Sequence, residues 1–344
     1  MSTPAKGDSR IRAYLHFLLA VLYFFVARGL AGRSSQVIAA DQWAPLVGQA
    51  MLAFLLLFGY AAMGFWLNRQ LHPISEQGLP HRAGWSREVG LGLAFGWGLA
   101  VACVLPLVLI GGIAISISST LSSWGWFVVD AVFFVFASLV EEIAFRGYGF
   151  QRFARAVGPF GASLGFAAYY GVVQSLLPGS SRTTFCVAGA VALLLSAAYL
   201  RTRALWVSLG LNFGWKASRA LLFGLSVAGV NSNSPVVQGN PMGPFWVTGG
   251  GFGLEGSWIT FILVIAAMPV LIRLTKDMDY RYNALELVPG GIPVDLSAAA
   301  QAQHNAALGA QEPAAPALVQ IGPAPAVNAD APENVAPRVP GDSF

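Results

Sequence analysis

Charge is scarce in this chain. Its 344 residues include 20 Lys and Arg and 16 Asp and Glu, 10% in all, against 56% hydrophobic residues. Soluble domains carry about 25% charged residues, so an ordinary water-soluble protein is excluded. Lysine is nearly absent (Lys6, Lys216 and Lys276), and the arginines sit mostly at the ends of apolar runs. The net charge of +4 is therefore not a phosphate-binding patch, and no nucleic-acid partner is expected. Cysteine is limited to Cys103 and Cys186, both inside apolar runs, which leaves no disulfide framework or cysteine-based metal site. They read as small core residues. Histidine is limited to His16, His72, His81 and His304. The whole middle of the chain thus lacks both the commonest metal ligand and the commonest base near neutral pH.

What the chain has is long apolar runs, with a mean hydropathy of +0.61. A spanning helix needs about 20 mostly apolar residues. Eight stretches qualify: 12–30, 44–67, 89–115, 124–145, 162–177, 184–200, 204–223 and 258–274. The predicted fold class is an all-α polytopic membrane protein. Pro106, inside the third run, would kink a helix without ending it in lipid. The first run follows Lys6, Arg10 and Arg12 as a signal peptide would, but nothing downstream resembles a secreted domain, so it reads as an anchor.

Eight spans put both termini on one side, and the cations agree. Arg69, Arg82, Arg87, Arg146, Arg152, Arg155, Arg201, Arg203 and Arg273 all fall on the side of the N-terminus, as do both terminal groups of cations. Opposite them fall only Arg28, Arg33 and Arg182, while Lys216 and Arg219 lie within the seventh run. By the positive-inside rule both termini are expected in the cytoplasm. Residues 225–257 are a Gly-rich outer loop with one charge, Glu255, and with Phe245 and Trp246 suited to the interface. From about Pro289 the chain turns to Ala, Pro, Gln and Asn, too little apolar area to order itself, and reads as a disordered cytoplasmic tail. The expected organisation is N-terminal helices over 1–119, a helical core over 120–280 and the tail over 281–344.

Ionisable groups inside a bilayer are costly, so each is a site candidate. Asp130, Glu141 and Glu142 lie in the fourth run, with Arg146 at its end; Lys216 and Arg219 lie in the seventh, and His16 in the first. The simplest account is three acids neutralised by three bases across packed helices. Glu142 and Arg146 are spaced i, i+4 and can pair. Glu141 points roughly 100° away and is left to face a cavity. One carboxylate pinned by an arginine beside another held in low dielectric is an arrangement suited to a general base. As a lone histidine on an apolar helix, His16 reads as a hydrogen-bonded packing residue.

The stretch Glu141-Glu-Ile-Ala-Phe-Arg146, continued as Gly-Tyr, resembles the first signature of the CAAX prenyl endopeptidase and bacteriocin-processing family of intramembrane peptidases. The resemblance covers roughly 120–260, through Phe166-Ala-Ala-Tyr-Tyr170, Gly210-Leu-Asn-Phe-Gly-Trp-Lys216 and the loop from Gly239-Asn-Pro to Ser257. It implies a bacterial plasma-membrane endopeptidase acting on peptide or prenylated-peptide ends within the lipid. The first glutamate would activate a water, aided by a histidine in Phe-x-x-x-His, and a His-x-x-x-Asn motif would hold the oxyanion.

This chain departs from that pattern. Tyr170 stands where the first histidine belongs, Asn212 where the second does, and Lys216 where the asparagine does. A phenol titrates near 10 and cannot replace an imidazole as a neutral-pH base. Tyr170 and Asn212 retain hydrogen-bond donors for an oxyanion. Lys216 opposite Glu141 would form an ion pair that satisfies the carboxylate and weakens it as a base. The other reading makes a buried Lys216 the base itself. The candidate site is Glu141, Glu142, Arg146, Tyr170, Asn212 and Lys216, converging on a polar cavity expected to open toward the cytoplasmic half. No metal or other cofactor is expected, because Asp130, Glu141 and Glu142 have no His or Cys to accompany them. The competing reading is a catalytically inactive scaffold or binding protein of the same fold; a transporter is disfavoured by the absence of inverted similarity between runs.

Overall fold

Each of the eight apolar runs coincides with a helix over most of its length in the computed structural model, which describes residues 6–276 and 278. The helices are α1 (Lys6–Ile38), α2 (Ala44–Asn68), the short α3 (Pro73–Glu76), α4 (Trp85–Leu109), α5 (Leu121–Arg146), α6 (Tyr148–Val157), α7 (Pro159–Ser175), α8 (Arg182–Thr202), α9 (Trp206–Ala217), the short α10 (Phe245–Thr248) and α11 (Trp258–Leu274). Four of them, α1, α2, α4 and α8, are long and apolar enough to cross a membrane, and α11 is a shorter apolar helix. The tail beyond Pro289 lies outside the described residues.

The chain is mostly helical but not purely so. Helix α4 stops at Leu109, one turn past Pro106, rather than running to residue 115. Gly111 adopts φ +74, a left-handed conformation that breaks the helix. Ile113–Ile117 then forms strand β1, antiparallel to β2 (Val237–Pro241) with Ile113 opposite Pro241 and Ile117 opposite Val237. An apolar run hides whether its period is 3.6 or 2, so the helix was predicted a turn and a half too far. The seventh run also changes character: α9 passes into a π-helical turn at Ser218–Leu222.

Helix starts follow local chemistry. Thr120 caps α5 by accepting from the Ser123 amide, and Ser257 caps α11 by accepting from the Thr260 amide. Ser181 and Thr184 form a reciprocal capping box on α8. At one end of the molecule the Leu205 amide donates to the Gly78 carbonyl (2.6 Å), the Trp206 indole to Pro80, and Arg82 to Thr202. Most of the arginines sit at this end. At the other, Trp43 stacks on Trp126, and Ser118 bonds to Val236 beside the β1–β2 ribbon.

Helix α8 runs through the centre, buried along most of its length from Thr183 to Thr202. Helices α4 and α9 approach each other most closely. Gly92 and Gly96 of α4 lie against the backbone of Val207 and Leu211, while Gly210 and Gly214 of α9 lie against that of Val89 and Leu93. Two small-xxx-small faces thus meet, which is how helices associate where lipid removes the hydrophobic drive. Positions 212 and 216 lie on the opposite side of α9, facing α5. A Cβ at Gly210 would run into the Val89 carbonyl and come 2.9 Å from the Leu93 amide, backbone atoms that cannot rotate away. Gly210→Ala is expected to lower apparent stability in detergent by about 1–3 kcal/mol, as overpacking does. Thermal melting of purified protein measures it, and an unchanged melting temperature would show that α4 and α9 are not locked at this contact.

Candidate functional site

Five of the six predicted residues meet in one polar network between α5 and α9. Arg146 Nη1 donates to Glu142 Oε1 at 2.9 Å, one helical turn apart on α5. The other arm of the guanidinium donates to the Ala192 carbonyl of α8 (3.1 Å), which also accepts from the Ser196 hydroxyl. Arg146 therefore ties α5 to the central helix as well as neutralising Glu142, which is fully buried. Asn212 of α9 donates to Glu141 Oε2 (3.1 Å) and Glu142 Oε1 (3.0 Å). Lys216, one turn further along α9, places Nζ 2.5 Å from Glu141 Oε1.

Tyr170, on α7, lies beside this network and is positioned by an edge-on contact with Phe145. Its phenol oxygen accepts from Gln174 Nε2 (2.9 Å), which leaves the hydroxyl hydrogen for another acceptor. Glu141, Tyr170 and Lys216 line a cavity of about 290 Å³. Asn212 does not line it: the residue is 1% exposed, and both amide hydrogens are committed to the two glutamates. It therefore has no donor left for an oxyanion, contrary to the sequence-based expectation.

The direction of the cavity also differs from expectation. Its lining runs from Glu141 past Ala137 and Phe133 to Gln42 and to Asn231–Asn233 of the Gly-rich loop. It therefore reaches the loop end of the molecule rather than the arginine-rich end. The depth of Glu141 on α5 was readable from the sequence, but the gap between α2, α5 and the folded loop was not.

That loop also changes the charge pairing. Asp130 makes no ion pair among the described residues: its carboxylate accepts from Asn233 Nδ2 (2.9 Å) and from the Ser234 amide (2.8 Å), fastening the loop to α5. Arg219 instead pairs with Glu255 at 2.6 Å, with its guanidinium 4.1 Å over the Trp215 ring. The guanidinium side chain is fully buried and that of Glu255 is 10% exposed. The expected set of three acids against three bases is thus really one pair within α5, one pair between α5 and α9, a loop clasp and a loop-to-helix pair. Glu255 was visible as the loop's single charge and Arg219 as an unassigned cation. Their separation in sequence offered no spacing rule to join them. The π turn beginning at Ser218 belongs to the same device, with Arg219 Nε donating back to the Trp215 carbonyl (3.1 Å).

His16 does not line the cavity and lies close to Asn68 near the arginine-rich end. Among the described residues no group of three or more His, Cys, Asp and Glu is arranged to hold a metal ion. Chemically, the site offers a carboxylate with both oxygens engaged, an ammonium, and one phenol donor.

Residues 122–218 match the model of the Rce1-like family, described as type II CAAX prenyl endopeptidase Rce1-like. No curated protein and no solved structure gives a significant match. The matched stretch spans α5 through α9 and contains all six candidate residues. Residues 122–218 therefore belong to that family.

Proposed function

We propose, from that family membership and the geometry of Glu141, that the protein is a CAAX-protease-like intramembrane endopeptidase of strongly reduced activity. It acts on peptide or prenylated-peptide ends that enter the cavity from the lipid. The observation that carries the reading is the contact of Lys216 Nζ with Glu141 Oε1 on the cavity wall. A carboxylate has about four lone-pair positions; Lys216 takes one and Asn212 another, so Glu141 retains sites for a water but with less negative charge to draw its proton. The carboxylate side chain is 24% exposed, which leaves an edge for that water. A peptide carbonyl placed beside Glu141 would find the Tyr170 hydroxyl and the Lys216 ammonium as its donors. Without a histidine among these groups, no neighbour near neutral pH relays the proton to the leaving amine. That is the step expected to limit the rate.

In this reading all eight apolar runs lie in the membrane, with both termini in the cytoplasm as the arginine distribution favours. The second reading, a binding or scaffold protein, is favoured by one observation: Asn212 is spent on the two glutamates and gives the network a purely structural use. Quenched peptides incubated with purified protein separate the two. Slow cleavage that disappears in Glu141→Gln is the expected result. No cleavage by wild type, or cleavage indifferent to Glu141→Gln, would establish the scaffold reading instead.

A further inference from the structure

At the arginine-rich end, away from the candidate site, α6 carries an arginine that makes no ion pair among the described residues. Helix α6 is short and strongly amphipathic, and it packs against α1 and α7. Its Arg152 is 3% exposed, and Nε and Nη2 have no hydrogen-bond partner among the described residues. The guanidinium lies 4.9 Å over the Tyr148 ring, which does not satisfy those N–H groups. Burial destabilises the arginine's charge, and the nearby Arg155 adds repulsion. Glu76 lies close enough to act on it but makes no ion pair with it among the described residues. On α1, His16 feels the charge of both Arg152 and its own helix's Arg12. Arg12 and Arg155 themselves are exposed.

A buried guanidinium with two orphaned donors, next to a further cation and without an ion pair among the described residues, is a place for an anion. Unpaired buried donors and charges are costly, and arginine's planar fork matches a phosphate. The residues next to this cluster indicate the source of that phosphate. Phe17 follows His16 and Phe153 follows Arg152, and the two rings stack at 4.5 Å. Both line an apolar cavity of about 260 Å³ bounded also by Phe24, Phe25 and Phe166. The cationic cluster thus adjoins an apolar cleft, and a molecule with an anionic head and a hydrocarbon tail fits both.

We propose that Arg152, with Arg12, His16 and Arg155, binds the phosphate of an anionic phospholipid whose acyl chain enters the Phe17–Phe153 cleft. The site is independent of Glu141 and of any peptidase activity. Basic pockets between helices at the cytoplasmic face commonly hold such headgroups.

Native mass spectrometry of the full chain in detergent, titrated separately with phosphatidylglycerol, phosphatidylcholine and inorganic phosphate, tests it. Wild type is expected to retain phosphatidylglycerol about tenfold or more over phosphatidylcholine, the preference that a few juxtamembrane cations supply. Arg152→Gln should abolish the preference and Arg152→Lys keep part of it, because the ammonium preserves charge without the fork. Should Arg152→Gln fail to fold, the exposed Arg155→Gln should still reduce the preference severalfold. Equal retention of the two lipids by wild type, or an undiminished preference in both glutamine variants, would overturn the proposal. Displacement of phosphatidylglycerol by millimolar inorganic phosphate would reassign the site to a free anion and overturn the lipid assignment.

Discussion

The triple variant Tyr170→His, Asn212→His and Lys216→Asn is expected to hydrolyse quenched peptides about 10²-fold faster than wild type or more, the contribution of a positioned general acid–base group. Three changes in the network cause the gain. Removing Lys216 frees Glu141 Oε1 from a cation at 2.5 Å. Replacing Tyr170 puts an imidazole on the cavity wall beside that carboxylate. Replacing Asn212 releases Glu141 Oε2 and Glu142 Oε1 from the amide that bridges them. Lys216→Asn alone should gain much less, because the proton relay would still be missing. Adding Glu141→Gln to the triple variant should return the rate to background. If the triple variant folds, binds peptide and stays as slow as wild type, the ion pair is not what restrains this site.

Arg146→Ala is expected to cost about 3–5 kcal/mol of apparent stability in detergent, the penalty for removing one partner of a buried pair. Glu142 is 0% exposed, and its Oε2 already has no hydrogen-bond partner among the described residues. Removing Arg146 would leave it only neutral neighbours, the Asn212 amide and the Ser208 hydroxyl, among the described residues, and would also sever the bond to Ala192 that fixes α5 on α8. Lys216→Met makes the contrast. Glu141 faces the cavity with 24% of its side chain exposed, so water can replace the ammonium and the loss should be clearly smaller. Thermal melting of the two variants under one condition decides it. Equal losses would mean that the cavity is dry and that both pairs are structural.

The separate roles of Glu141 and Glu142 were legible in the sequence. Adjacent residues on a helix point about 100° apart, and only the second is spaced i, i+4 from an arginine. The facing of Asn212 and Lys216 on one side of α9 follows from the same periodicity. The meeting of α4 and α9 was also encoded, as Gly92-x-x-x-Gly96 and Gly210-x-x-x-Gly214, although nothing in one sequence says which two glycine faces will pair. Arg152 gave no local sign of being special, since one more arginine at a helix end looks like part of the orientation signal. Its burial with two unbonded N–H groups is a property of three packed helices.

The sequence by itself determined the apolar helices, the end at which the arginines gather, and the Glu-Glu-x-x-x-Arg chemistry at the end of α5, because hydropathy and helical spacing are local quantities. Tertiary structure alone decided where the 225–257 loop goes, and with it the partners of Asp130 and Arg219 and the end toward which the cavity opens. Those contacts join residues 36 to 104 positions apart. Which buried charge finds which partner depends on packing in three dimensions, where no periodicity along the chain can specify it.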